Sequence, residues 1–258
     1  SYIAGGQHLL TTTSAGIVVA PVIDTDIDAL LIKADLALYE SKQKGKGLST
    51  LFAEDMDERY QRRQKLKKDL KIAIHEQKLA VVYQPIIDAK TLQIVACEAL
   101  ARWDHSELGP ISPAIFIPLA EETGVISDLT RFMLTSACRD CLSWGNEVGV
   151  SVNLSAVDFR LSDVSGVVRD VLNQSGLAPR RLEVEVTEGA ILDDQNATSA
   201  VLSDLRRLGV KVALDDFGTG YSSLSYLNNL PLDKIKIDQS FIRQIDGHDR
   251  SLKLVAGV

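Results

Sequence analysis

From about residue 78 onward the sequence alternates between two patterns. Short apolar, β-branched runs at 80–87, 93–103, 149–154, 182–186, 210–214 and 233–237 are separated by helical periodicity, notably at 128–144, 164–174 and 196–208. Strand followed by helix, repeated, builds a mainly parallel sheet covered by helices, which leaves a (β/α)8 barrel or an open doubly wound sheet. The first two runs are joined by only a few residues around Asp88-Ala89-Lys90-Thr91. That is too short for a parallel crossover, so this pair is predicted to be antiparallel. No G-x-G-x-x-G or P-loop pattern follows any run, which removes the usual nucleotide-binding form of the open sheet.

Parallel strands covered on both faces should be almost wholly apolar. These carry polar oxygens instead: Glu98 in the second run, Asn153 in the third, Glu183 and Glu185 in the fourth, and Asp215-Asp216 closing the fifth. Side chains alternate along a strand, so Glu98, Leu100 and Arg102 share one face, as do Glu183 and Glu185, and Lys234, Lys236 and Asp238. In a barrel the strand ends converge on one mouth, which would gather Glu98, Asn153, Glu185, Asp215, Asp216 and Lys236. Burying several carboxylates costs several kcal/mol each without compensation, and the basic residues at these strand ends are Arg102 and Lys236. A divalent cation is the natural counter-charge. Oxygen-only donors favour Mg²⁺ or Mn²⁺ over zinc, and adjacent aspartates let one carboxylate bridge two ions roughly 3.5 to 4 Å apart, a pair suited to phosphodiester hydrolysis.

The charge balance narrows the partners. With 35 acidic against 28 basic residues the net charge is −7, which disfavours binding to long nucleic acid. No apolar run approaches the ~20 residues of a membrane span. Three cysteines build no disulfide framework and suit a reducing compartment; Cys138 and Cys141, one helical turn apart, read as two small hydrophobes rather than a metal or redox pair. The Gly218/Gly220 segment reads as a mobile active-site loop, and His105 as a surface residue of the Asp104-His105-Ser106-Glu107 turn.

The first 53 residues read as a strand at 14–20, a helix opened by Asp24 or Asp26 and running to about Lys44, and a short strand ending at Phe52. Residues 54–77 form a polar helix, acids first and bases last, with Leu66, Leu70 and Ile74 on its apolar edge. The domain division expected is therefore 1–53, a linker helix 54–77, and 78–258. The N-terminus lacks an initiator Met and the chain stops in mid-pattern, so it reads as an excised fragment.

Several motifs are similar to those of a known family. Glu98-Ala99-Leu100 followed by Ala101-Arg102-Trp103 resembles the motif that names the EAL domains, phosphodiesterases that hydrolyse cyclic di-GMP to linear pGpG. Tyr83-Gln84-Pro85-Ile86, Ser151-Val152-Asn153-Leu154-Ser155, Glu185-Val186-Thr187-Glu188, Asp215-Asp216-Phe217-Gly218 and Lys236-Ile237-Asp238 extend the match. The stretch from Ala34 to Lys42 with Gly45 resembles the closing helix of GGDEF domains, the diguanylate cyclases, whose signature loop is absent.

The resemblance implies a (β/α)8 barrel of TIM type with an antiparallel first strand, shown here through about six strands, behind an α/β remnant of a GGDEF domain. It also implies roles. Glu98, Asn153, Glu185 and Asp215 would hold one metal, and Asp215 and Asp216 a second; Lys236 would touch the attacking water and the scissile phosphate. Glu188 would hydrogen-bond the loop from Asp215 to Leu224 and couple it to metal binding and dimerisation. Gln84 would contact a guanine, Leu100 would pack beside the nucleotide and Arg102 would pair with a phosphate oxygen. Mg²⁺ or Mn²⁺ would support turnover and Ca²⁺ inhibit it. The partner set is cyclic di-GMP and a second copy, in the cytoplasm, with any membrane tether outside this sequence. The alternative is a module that holds cyclic di-GMP without cutting it. The family's last two strands, with a further metal-associated Glu, lie beyond Val258, so this chain alone is expected to be inactive and prone to associate.

Overall fold

The computed structural model describes residues 2–4, 7–9, 11–21, 26–145, 147–218 and 230–243. They fall into two compact units, 1–69 and 70–258. In the first, β1 (Tyr2–Ala4) and β2 (Gln7–Leu9) form an antiparallel hairpin. β3 (Ala15–Ile17) and β4 (Ser49–Leu51) pair in parallel, with α1 (Ile27–Gln43) as the crossover. Asp26 starts α1 by accepting from the backbone N–H of Asp28 at 3.0 Å, which settles the choice between Asp24 and Asp26. Only glycine fits where β3 meets α1: a Cβ on Gly16 would lie 2.0 Å from the Ala34 carbonyl oxygen. Leu36, Ala37 and Met56 form a small core joined by Phe52 and Tyr60. The helix expected at 54–77 is α2 (Asp55–His75), with Asp55, Asp57 and Glu58 in its first turn, and the boundary between the units falls inside it.

The second unit opens with β5 (Ala80–Ile87) and β6 (Ile94–His105), paired antiparallel as the short connection requires. There follow β7 (Gly109–Ile111), α3 (Pro113–Thr123), α4 (Ile126–Cys141), β8 (Gly149–Leu154), α5 (Asp158–Leu161), α6 (Val164–Ser175), β9 (Leu182–Thr187), α7 (Glu188–Asp193) and α8 (Gln195–Arg207). β10 (Lys211–Phe217), β11 (Lys234–Ile237) and a short helix, Gln239–Arg243, complete the described chain. The strand order is β11-β10-β9-β8-β6-β5, parallel throughout except for β5 against β6. This is an α/β sheet with helices between its strands. Residues 252–258, which the family resemblance implies are the helix before a seventh strand, lie outside the described residues.

Packing explains the strand assignments. Val150, Val152, Leu182, Val184, Val186, Val212 and Leu214 are almost completely buried, the near-continuous apolar pattern of covered parallel strands. α4 supplies Leu129, Met133, Leu134, Ala137, Cys138 and Cys141. Both of its cysteines are free and fully buried, as small hydrophobes should be, and burial pushes the Cys138 thiol up to about 12. Arg181 stands just before β9, 9% exposed, and donates to the carbonyls of Cys141 (2.6 Å), Val148 (2.9 Å) and Gly145 (3.1 Å). A buried guanidinium is tolerated here because three backbone carbonyls accept from its Nε and Nη2, and it ties the end of α4 to the start of β8.

One expectation is corrected. His105 is not on the surface but 5% exposed. β6 runs on through it and turns back as β7, so its ring sits edge-on to Trp103 at 5.3 Å while Nδ1 accepts from the backbone of Glu107 and Leu108. The sequence of this stretch looks like a solvated turn, but its imidazole closes the hairpin instead.

Candidate active site

Parallel pairing sets the site. Glu98 on β6 registers with Ser151 on β8, Asn153 on β8 with Glu185 on β9, and Glu185 with Ala213 on β10. Glu98, Glu185 and Asp215 consequently offer carboxylate oxygens within 4.8 Å of one another. Asn153 Nδ2 donates to Glu98 Oε1 at 2.9 Å. Lys236, from β11, places its ammonium among the three acids: 3.2 Å from Glu98 Oε2, 3.3 Å from Asp215 Oδ2, and in a short contact with Glu185 Oε2.

The electrostatics are those of a site overloaded with negative charge. Burial raises the Glu185 pKa, and Lys236 only partly opposes it. Burial disfavours the charged form of Lys236, yet Glu185, then Asp215 and Glu98, hold its pKa above the ordinary value. One ammonium does not satisfy the cluster, because Glu185 Oε1 is fully buried with the Ser151 hydroxyl as its neighbour and no hydrogen bond of normal geometry. An orphaned buried carboxylate oxygen beside other hard oxygen donors fits a divalent cation of the Mg²⁺ type. Glu98, Glu185 and Asp215, with the Asn153 side-chain oxygen, are the groups available to hold it.

Other predicted residues are placed less closely. Asp216 is outside the three-carboxylate group; burial, then Asp215 and Asp238, raise its pKa, and its backbone is left-handed at φ 54°. It falls inside β10, within the register irregularity between Leu214 and Phe217, and just beyond it Gly218 takes φ +99° against the Phe241 ring. Gly220 and the loop beyond it lie outside the described residues. Glu188, 3% exposed at the start of α7, has both carboxylate oxygens buried without a partner, so its expected bond to that loop is not among the described contacts. Gln84 registers with Glu98 across β5 and β6. Leu100, Arg102 and Asn153 line a cavity of ≈ 350 Å³ together with Glu121, Ser155 and Thr187.

Sequence reasoning missed two features. Ser155 donates to Glu121 at 2.6 Å on the cavity wall, a pair separated by 34 residues that no local pattern announces. Glu183 is not left to a metal, since Lys234 pairs with it at 2.7 Å. The signal for the second was present, because Lys234 lies two residues before Lys236 on the same strand face.

Comparison with known proteins follows the same outline. The EAL domain family profile matches residues 67–258. The uncharacterized protein y4lL of Sinorhizobium fredii is 42% identical over 257 residues, all of this chain and 31% of that protein. The bifunctional diguanylate cyclase/cyclic di-GMP phosphodiesterase MucR of Pseudomonas aeruginosa is 37% identical over 92% of this chain and 35% of its own length. The solved structure described as PaMucR phosphodiesterase in complex with c-di-GMP superposes with a TM-score of 0.71 at 37% identity, covering 75% of this chain and 80% of that one. The chain spans about a third of the length of these curated relatives. With the family profile covering most of the sequence and its motif residues assembled at one group of strand ends, the chain belongs to the EAL domain family.

Proposed function

We propose that this domain hydrolyses cyclic di-GMP to linear pGpG within a longer signalling protein. The observation that carries the reading is the ammonium of Lys236 among Glu98, Glu185 and Asp215, with a buried oxygen of Glu185 still unpaired. Relatives named as cyclic di-GMP phosphodiesterases, and a similar domain solved with c-di-GMP, support the substrate.

When bound, Mg²⁺ or Mn²⁺ supplies a water acidic enough to lose a proton near neutral pH and neutralises charge on the phosphate. The chain's own residues do the rest. Glu98, Asn153, Glu185 and Asp215 would hold a first ion, and Asp216 would help to hold a second. Lys236 faces the developing charge on the scissile phosphate. A water oxygen joins phosphorus, the bond to the 3′ oxygen breaks, and that oxygen leaves with a proton. Gln84 meets a guanine, Leu100 packs beside the nucleotide, and Arg102 binds a phosphate oxygen as a planar fork of donors. Glu188 acts on the loop after Asp215 and not on the substrate.

In this reading residues 1–53 are the end of a GGDEF domain, joined by helix 54–77; the MucR match, which reaches beyond the 67–258 span, supports it. No described helix is long and apolar enough to cross a membrane. The setting proposed is the cytoplasm, with a second copy of the domain as partner. The test is to incubate the full-length protein with cyclic di-GMP and Mg²⁺ and to follow pGpG. Its appearance, abolished by Ca²⁺, supports the reading; tight binding without cleavage would make the domain a receptor.

A further inference from the structure

Among the described residues, the strand that carries Lys236 is held to β10 by few backbone contacts. β11 has four residues and registers with β10 only at Ala213, Leu214 and Phe217, with an irregularity between the last two. A slip of one residue would turn Lys234 and Lys236 to the opposite face and withdraw the ammonium from the acids. Side chains supply what the ladder lacks. Asp233 hooks the start of β11 onto β10: its backbone N–H donates to the Val212 carbonyl at 2.8 Å, and its Oδ2 accepts from the Val212 N–H at 2.9 Å. Arg206 fixes the other oxygen of Asp233 at 3.0 Å.

The second fastener repeats the first ion pair one layer along the strands. Glu183 and Glu185 share one face of β9, and Lys234 and Lys236 one face of β11. Lys234 reaches Glu183 as Lys236 reaches Glu185, both across β10 with the same offset. On β10 that face carries Lys211 in register with Glu183, Ala213 in register with Glu185 and Lys234, and Asp215 beside Lys236, so at Ala213 only a methyl separates the two outer strands. Glu183 is 7% exposed, so an unpaired charge there would be costly, which makes the pairing restrictive.

We infer that Glu183 is a positioning residue for Lys236, acting through Lys234 to lock β11 in the register that presents the ammonium to Glu98, Glu185 and Asp215. The inference rests on the proposed role of Lys236, but the contacts can be tested without turnover. The measurement is the rate at which an amine-reactive acylating reagent modifies Lys236 in the full chain, read by peptide mass spectrometry, for wild type, Glu183→Gln, Lys234→Gln, the double variant and Lys234→Arg. Each single change should speed labelling of Lys236 about tenfold, the scale of coupling between contacting residues. The double variant should be no faster than the faster single, and Lys234→Arg should stay at the wild-type rate. Lys234 is 41% exposed, so its variants keep the test alive if Glu183→Gln does not fold. In the full-length protein the same singles should lower kcat with KM unchanged. Unchanged labelling in Lys234→Gln, or additive effects in the double, would overturn the inference. A wild type that labels as expected but cleaves no cyclic di-GMP would sink the phosphodiesterase reading and leave this one standing.

Discussion

Among the described residues, Asp158 and Glu185 are both fully buried, and they are treated in opposite ways. Asp158, at the start of α5, accepts from Ser127 Oγ (2.9 Å) on one oxygen and from Thr130 Oγ1 (2.7 Å) and the Ser155 N–H (3.1 Å) on the other. Glu185, near the end of β9, has Lys236 on one oxygen, while the other is buried beside the Ser151 hydroxyl without a hydrogen bond of normal geometry. The first pins the loop after β8 to α4 with protein groups alone. The second shares one ammonium with Glu98 and Asp215. Burial by itself therefore does not mark a functional acid; unsatisfied burial among like charges does.

The sharpest way to break the contrast is at the acids of the open cluster. Glu98→Ala in the full-length protein should lower cyclic di-GMP turnover at least roughly 10³-fold, beyond the loss of a single electrostatic contact, with little change in melting temperature. A comparable turnover loss from Asp158→Ala, in protein shown to be folded, would erase the distinction. Asp158→Ala should act on stability instead. It strands three donors, for a loss on the order of 3 kcal/mol by urea denaturation, with the folded fraction still active. Thr130→Val removes one of those donors and keeps the shape, so it should cost about 1 kcal/mol in the same assay. A Thr130→Val loss as large as that of Asp158→Ala would mean that the network is not shared among its donors.

The sequence carried the open cluster better than the closed one. Acids at the ends of apolar runs are anomalous, and period-two alternation plus parallel pairing is enough to bring Glu98, Glu185 and Asp215 together. The short link after Ile87 likewise dictated the antiparallel first pair. Asp158 gave no such signal, since an acid at a helix start is ordinary and its partners Ser127 and Thr130 come from another helix. His105 failed for a related reason: Asp104-His105-Ser106-Glu107 is polar enough for a surface turn, and only the pairing of β6 with β7 buries the ring. Asp216 shows the limit of alternation, because a left-handed residue at a strand end sends its side chain where the period-two rule does not.

The most direct test of the account is a Mn²⁺ titration of the chain followed by electron paramagnetic resonance, in wild type, Glu185→Gln and Asp158→Asn. If the unsatisfied cluster is the cation site, wild type and Asp158→Asn bind Mn²⁺ alike and Glu185→Gln weakens binding by roughly a hundredfold or more, as expected when a buried charged ligand is lost. Equal binding by wild type and Glu185→Gln, or loss of binding in a folded Asp158→Asn, would contradict it.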